Sequence, residues 1–559
     1  MKILIIYPYC LEDRLQTEDI GVVPIGAYYV AALLKEYHYD VEVINACHLG
    51  NSPDEIKSLF LEKQPDIIAF SVLHANRWGA IDMARIAKQI HPEIKVVFGG
   101  VGASFLWEHF LTHFKEIDFI VIGEGEYAFL NLVRCIEHNE TAENVKGIAF
   151  RKGEIPVKTE PAEPVRNLDE LPVPAKYFTY QHVALTRGCP GNCSFCGSPL
   201  FWGHKVRFHS PEYFVNQLEL LYHKGVRFFY FSDDTFTLKK EYVIDICKKI
   251  LEKKLSITWA AISRADCVNE DILYWMRKAG CIQISYGVES GSEKIRKVLN
   301  KHLKTEDIKQ AFDLTVKYGI LARAYFIYGC PGENWDTIQE SIALIHEIKP
   351  LSIIFYILDI FPGTALYADF KKRTGFTDDI WLNRIEDIMY FETDPALSQE
   401  MILAFGQKLR TAYHENLHCF AENIKLIDLK EFYEMHADFY SRLGMTFSHG
   451  DYAGIEAVKN KEALAERLYQ KALRFHPDHR AYLGLGIIRQ KSRDFKASVE
   501  ILSEGLRHFP ESEALNLCLG ITYMNLGNYR DALKCFPKCP NSKEADDYIR
   551  ICHEAMPAL

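Results

Sequence analysis

The chain has 559 residues, 48% of them apolar and 25% charged, with 75 acidic against 65 basic side chains and a formal net charge of −10. At about 150 residues per domain this length holds three or four domains, and the composition excludes collagenous and disordered chains. The acidic balance argues against a sequence-blind nucleic-acid binder, which needs a basic face, so no nucleic-acid partner is expected.

Residues 1–150 alternate strand and helix. KILIIYP is a short apolar run, too short for a signal-peptide core and suited to a first buried strand. VPIGAYYVAALLKEY follows with helical spacing, then the strand VEVINA, and a helix opened by Ser52 and Pro53 with early acids. DIIAFSV, KVVFGG, FIVIGEG and GIAF continue as strands, with helices across about 79–90, near 104–115 and from about 126. Buried runs alternating with amphipathic helices predict an α/β fold with a doubly wound parallel sheet. Ligands on such sheets sit at the carboxyl ends of the strands, where Ser71, Gly99, Gly100, Gly123 and Gly125 stand. Residues 151–178 contain five prolines and many charges and read as a surface linker.

From 179 to 400 the alternation resumes. VALTRG, RFFYFSD, ITWAAIS, IQISYGVE, LARAYFIYG and SIIFYILDI are six candidate strands. Six are too few for an eight-stranded barrel, so a partial (β/α)6 barrel is expected. Residues 401–450 read as a helical connection. In 451–559 Leu485-Gly486 recurs as Leu519-Gly520 and Asp494-Phe495 as Asn528-Tyr529, both at a spacing of 34, and HPD at 476–478 recurs as FPE at 509–511. This period resembles tetratricopeptide repeats, which implies all-α helical repeats and a concave surface for a protein partner.

No run of 18 apolar residues is present, so no membrane span is expected. The default compartment is the cytoplasm, where the 15 cysteines are reduced thiols or metal ligands. Three of them, Cys189, Cys193 and Cys196, form CxxxCxxC in LTRGCPGNCSFCG. Thiolates suit iron–sulfur clusters, and three ligands leave one iron of a 4Fe–4S cluster open. No His or Cys at zinc-finger spacing follows. Cys535 and Cys539 also show a CxxxC spacing, with Cys552 beyond, but no further ligand is suitably placed, and buried packing is expected of them.

CxxxCxxC with Phe195 before the last cysteine, just after a first barrel strand, resembles the radical S-adenosylmethionine (SAM) superfamily. The resemblance implies that the open iron holds SAM and that one-electron reduction cleaves it to a 5′-deoxyadenosyl radical, with electrons from an external flavodoxin- or ferredoxin-type donor. It also implies that Asp234 after the second strand, Arg264 after the third and Glu289 after the fourth hold SAM. The expected GGE motif is replaced by FSDD, and GCPGE and FPGTALY follow the fifth and sixth strands.

The N-terminal region resembles the cobalamin-binding branch of that superfamily. Ser71 and Leu73 match an SxL element, Gly99-Gly100 a GG element, and Gly123, Glu124, Gly125 and Glu126 a GEGE element; the resemblance assigns all eight to cobalamin. The DxHxxG element that supplies an axial histidine is missing; NACHLG stands near its place, and ordinary packing is expected of Cys47 and His48. The expected function is that of a cobalamin-dependent radical SAM enzyme methylating an unactivated carbon. Two alternatives remain open: a cyclase or rearranging enzyme with the same cofactors, and a redox-sensing scaffold that recruits a partner through its repeats.

Overall fold

The computed structural model describes residues 1–11, 23–49 and 52–556. The first apolar runs form β1 (Lys2–Tyr7), β2 (Asp40–Asn45), β3 (Ile67–Ser71), β4 (Lys95–Gly99) and β5 (Phe119–Val121), parallel in the spatial order β2-β1-β3-β4-β5. Helices cover both faces, so β1 and β3 are buried along almost their whole length instead of alternating. The all-parallel expectation is corrected at one edge. β6 (Ile148–Lys152) and β7 (Ile155–Lys158) extend the sheet as an antiparallel hairpin. β7 lies in the stretch expected to be linker. Its end residues are exposed, Ile155 to 68%, and Pro156 and Val157 are only half-buried, so no buried-strand pattern marks it.

All six expected runs enter the second sheet. The first, VALTRG, is split. β8 (His182–Val183) joins the barrel, and β9 (Thr186–Arg187) pairs instead with β10 (Arg207–Phe208) in an antiparallel ribbon. The break is caused by the buried Asp233 carboxylate, which accepts the backbone N–H groups of Leu185 (3.0 Å) and Thr186 (2.6 Å) that a longer strand would direct to its neighbour. β11 (Phe228–Phe231), β12 (Thr258–Ser263), β13 (Cys281–Glu289), β14 (Leu321–Tyr328) and β15 (Ser352–Ile357) complete a parallel sheet in the order β8-β11-β12-β13-β14-β15. It is an open six-stranded barrel. One core runs from a face of the first sheet (Leu4, Phe70, Phe98) into the barrel (Phe229, Trp259, Phe326).

Beyond the barrel the chain is helical. Helix Gln399–Glu422 packs on the barrel helix Trp335–Ile348. Asp438, on helix Tyr433–Ser448, meets Arg277 of the barrel (3.4 Å) and Arg442 (2.8 Å), and also Arg480 of the tail. The tail places helix His479–Lys491 beside Phe495–His508 and repeats the pair as Glu513–Asn525 and Tyr529–Cys535. The recurring Leu-Gly has a packing cause. A Cβ on Gly486 would stand 2.5 Å from Leu502, and one on Gly520 2.5 Å from Phe536. Both glycines let paired helices approach closely. Cys535, Cys539 and Cys552 are buried among these helices, as expected. Among the described residues no helix is long and apolar enough to cross a membrane.

The two sheets are docked through buried charge. The Arg187 side chain, 8% exposed, pairs with Glu124 (2.9 Å) and with Glu126, while Arg207 also pairs with Glu124. Tyr29 and Trp202 each lie 5.4 Å from the Arg187 guanidinium. Both carboxylates stand at the start of helix Gly125–Glu137, where the helix dipole also favours negative charge. Arg187→Ala leaves Glu126 buried without its cation. The expected cost is about 3–5 kcal/mol, read as a lower midpoint in urea unfolding. Arg166→Ala, which removes a solvent-exposed pair with Glu163, is expected to leave the midpoint unchanged.

Candidate functional site

The carboxyl ends of the first sheet and the mouth of the barrel face each other across a cavity of about 480 Å³. Ser71 and Leu73 at the end of β3, Gly99 and Gly100 at the end of β4, and Gly123, Glu124, Gly125 and Glu126 after β5 all line it. The barrel contributes Gly197, Ser198 and Asp234, and aromatic walls from Phe201, Trp202 and Phe361. The two loops that form its floor are tied together. Ser104 Oγ donates to the Gly100 carbonyl (2.8 Å) and accepts from Gly123 N–H (2.9 Å), and Leu73 N–H donates to Asn76 Oδ1 (2.8 Å). Gly100 has φ +93°, and a Cβ there would sit 2.8 Å from the Val72 carbonyl. At Gly123, φ +76°, a Cβ would meet nothing within 4 Å and would stand in the cavity. A flat, backbone-floored, largely apolar space of this kind suits a broad ring system or a nucleotide tail. Ser104 and Asn76 escaped the sequence reading because a small polar residue in a helical run carries no positional signal.

Two of the eight residues have a structural role as well. The carboxylates of Glu124 and Glu126, which line the cavity, are held by Arg187 and Arg207, so they also dock the domains. His48 is exposed on the turn Cys47–Leu49 and does not line the cavity; Gly50 lies outside the described residues. His209, on the barrel side, is the histidine among the described lining residues. It bonds Tyr29 Oη (3.0 Å) and Asp169 (3.2 Å).

The three cysteines occupy the loop between β9 and helix Ser198–Trp202, all half-buried. A Cβ on Gly191 would lie 3.4 Å from Cys189 Sγ, 3.9 Å from Cys193 Sγ and 3.6 Å from Arg264 Nη1, so two sulfurs and a cation surround one glycine. Gly191 N–H points at Cys189 Sγ (3.4 Å). Ser194 anchors the loop, donating its N–H to Leu299 (2.9 Å) and accepting from Leu366 N–H (3.0 Å). Burial raises the Cys193 thiol above its ordinary range and pushes Cys196 up to about 11. Burial thus favours the protonated form of Cys193 and Cys196, and a bound metal's charge would make them thiolates. Three soft donors on one short loop fit an iron–sulfur cluster with one iron open.

The residues that the resemblance assigns to SAM fall on two sides of this loop. Asp234 faces the cavity, accepts from Ser198 Oγ, and its charge acts on Cys196. Its neighbour Asp233 is buried and holds backbone. Arg264 and Glu289 do not line the cavity; with Lys301 they act on Cys193. Arg264 is bidentate to Asp266 (2.9 and 2.7 Å) and bonds the His302 carbonyl (2.9 Å). Glu289, at φ +63°, forms a buried pair with Lys301 at 2.7 Å. Nothing in NKHLK marked Lys301 in advance.

Residues 183–345 match the radical SAM superfamily, and residues 21–133 match the B12 binding domain. An uncharacterized methyltransferase of Pyrococcus horikoshii is 30% identical over 380 residues, covering 66% of this chain and 82% of its own. An anaerobic magnesium-protoporphyrin IX monomethyl ester cyclase of Cereibacter sphaeroides is 29% identical over 383 residues, covering 65% and 62%. The fold is similar to that of OxsB, a cobalamin-dependent S-adenosylmethionine radical enzyme solved with aqua-cobalamin (TM-score 0.58, 17% identity, 100% of this chain and 84% of that one). It is also similar to the radical SAM methyltransferase TsrM of Kitasatospora setae (TM-score 0.58, 17% identity, 67% and 78%). Open barrel, thiol loop and sequence match together define a radical SAM enzyme. The chain belongs to the branch of that superfamily with a B12-binding domain ahead of the barrel, and its cofactors are a 4Fe–4S cluster, SAM and cobalamin.

At the end of β14, burial pushes the Glu333 carboxyl up from 4.5 to about 7, although it accepts N–H groups from Gly329 and Cys330. Between these two values the folded protein binds a proton that the unfolded chain has lost, so stability falls as pH rises through that window. The loss from this group is about 3 kcal/mol. Asp233, pushed up to about 6, adds in the same direction. Glu333→Gln is expected to flatten part of the decline in urea midpoint between pH 5 and pH 8. An unchanged slope in the variant counts against the assignment.

Proposed function

We propose that this enzyme transfers a methyl group to an unactivated carbon. The observation that carries the reading is one continuous cavity with the GG and GEGE loops on one wall and Gly197, Ser198 and Asp234, beside the thiol loop, on the other. When bound, the cluster supplies the electron that cleaves SAM to a 5′-deoxyadenosyl radical, and cobalamin supplies the methyl group. Cys189, Cys193 and Cys196 hold the cluster. Asp234, oriented by Ser198, takes the amino end of SAM, and Arg264 and Glu289, the latter fixed by Lys301, hold its remaining polar groups. Ser71, Leu73, Gly99, Gly100, Gly123 and Gly125 cradle cobalamin, with Glu124 and Glu126 keeping that wall docked. The aromatic walls exclude water from the reacting space. An external flavodoxin- or ferredoxin-type donor delivers electrons. Helices 461–555, read as tetratricopeptide-like, seat a protein partner.

A second reading is ring closure with the same cofactors, favoured by the cyclase relative. Product mass separates the two: one methylene gained against hydrogens lost.

The test is anaerobic reconstitution with iron, sulfide and hydroxocobalamin, followed by desalting and metal analysis. About four irons and one cobalt per chain are expected. The Cys189→Ala/Cys193→Ala/Cys196→Ala variant loses iron, keeps cobalt and releases no 5′-deoxyadenosine. Gly99 has ordinary backbone angles, and a Cβ there would meet only Val121 Cβ at 3.9 Å, an ordinary contact, so Gly99→Leu adds bulk at the cavity wall without backbone strain. It is expected to lower cobalt retention at least about tenfold with iron unchanged, an overpacking effect. Iron without cobalt in the wild type would sink methyl transfer through cobalamin.

A further inference from the structure

Away from the cavity, helix Trp107–His113 places His109 and His113 four residues apart on one face. Opposite them, on the turn Asp378–Leu382, stands Asp379. One donor atom from each of the three lies within 4.8 Å of the others. His113 Nε2 is 3.0 Å and His109 Nδ1 is 3.9 Å from the same oxygen, Asp379 Oδ1. Tetrahedral zinc at about 2.0–2.2 Å from its ligands separates them by about 3.4 Å, which these distances straddle. The decisive atom is His109 Nδ1. The side chain is only 3% exposed, and the nitrogen is buried without a hydrogen-bond partner. Such a group costs stability unless something satisfies it.

We infer that His109, His113 and Asp379 bind a divalent transition metal of the zinc class. Two imidazoles and one carboxylate suit a borderline ion, whereas calcium and magnesium prefer all-oxygen sets. His113 and Asp379 face solvent, which leaves an entry path and room for a water as fourth ligand. The metal fastens a seam that side chains already grip. In the segment 378–386, Trp381 lies under Arg77 (4.4 Å), the Asn383 carbonyl accepts from Trp78 (3.0 Å), and the Glu386 carbonyl accepts from Arg77 (3.0 Å). The ion adds a coordinate bond between the cobalamin-side domain and the extension of the barrel. No sequence motif marks the site, because the histidine pair and its carboxylate are 266 residues apart.

The experiment uses the full chain with cluster and cobalamin installed, so that the thiols of the cluster loop are occupied. Zinc is titrated against a competing chelator and bound zinc is counted by elemental analysis. One zinc per chain is expected, together with a rise in thermal midpoint on zinc addition. His113→Ala and Asp379→Ala change solvent-facing side chains and leave the Arg77 and Trp78 contacts of the seam in place. Each is expected to weaken zinc binding at least about tenfold, and the double variant to lose both the bound zinc and the thermal shift. Equal zinc content in the wild type and the double variant, or no bound zinc in the wild type, overturns the proposal.

Discussion

The structure depends on one buried charge balance. Two cationic side chains of the barrel ribbon, Arg187 and Arg207, meet two carboxylates from the last parallel loop of the first sheet, Glu124 and Glu126. Either the cations or the carboxylates alone would be uncompensated charges away from water. Together with the shared core they hold two separately wound sheets face to face across the cavity. The position of Arg187 in the chain gives the contact a second consequence. It is followed directly by Gly188 and Cys189, so the residue that fixes the domain interface also fixes the start of the thiol loop.

A division of labour recurs at the barrel mouth. At the end of β11, Asp233 turns inward and takes backbone N–H groups while Asp234 turns to the cavity. At the end of β14, Glu333 caps the turn of GCPG. At the end of β13, Glu289 is locked by Lys301. Buried carboxyl groups shape all three strand ends, and at β11 the exposed neighbour, Asp234, faces the ligand space. The mouth is thus stiff at its backbone where the chemistry is hosted.

Much of this was legible in the sequence. The strands of both sheets appear as apolar runs because both faces are covered, and the thiol spacing and the glycine-rich strand ends stand where the fold needs them. What escaped has physical reasons. β7 is an edge strand with exposed ends and a half-buried middle, so its hydrophobic pattern is silent. The break between β8 and β9 is imposed by a carboxylate 47 residues away, which no local window contains. GEGE reads as ligand-contacting sequence, and its docking role is silent because the cations that hold its acids, Arg187 and Arg207, are remote in the chain. Lys301 and Ser104 become meaningful only once their partners Glu289 and Gly100 are beside them.

The tethering of Ser194 has a mechanical consequence. The barrel is open between its edge strands β8 and β15. Ser194, at the centre of the thiol loop, is bonded on one side to Leu299 and on the other to Leu366, which follows β15. The loop is therefore a crossbar over the upper part of the open side. The slot beneath it cannot widen at its top without pulling on the residues between the second and third thiols.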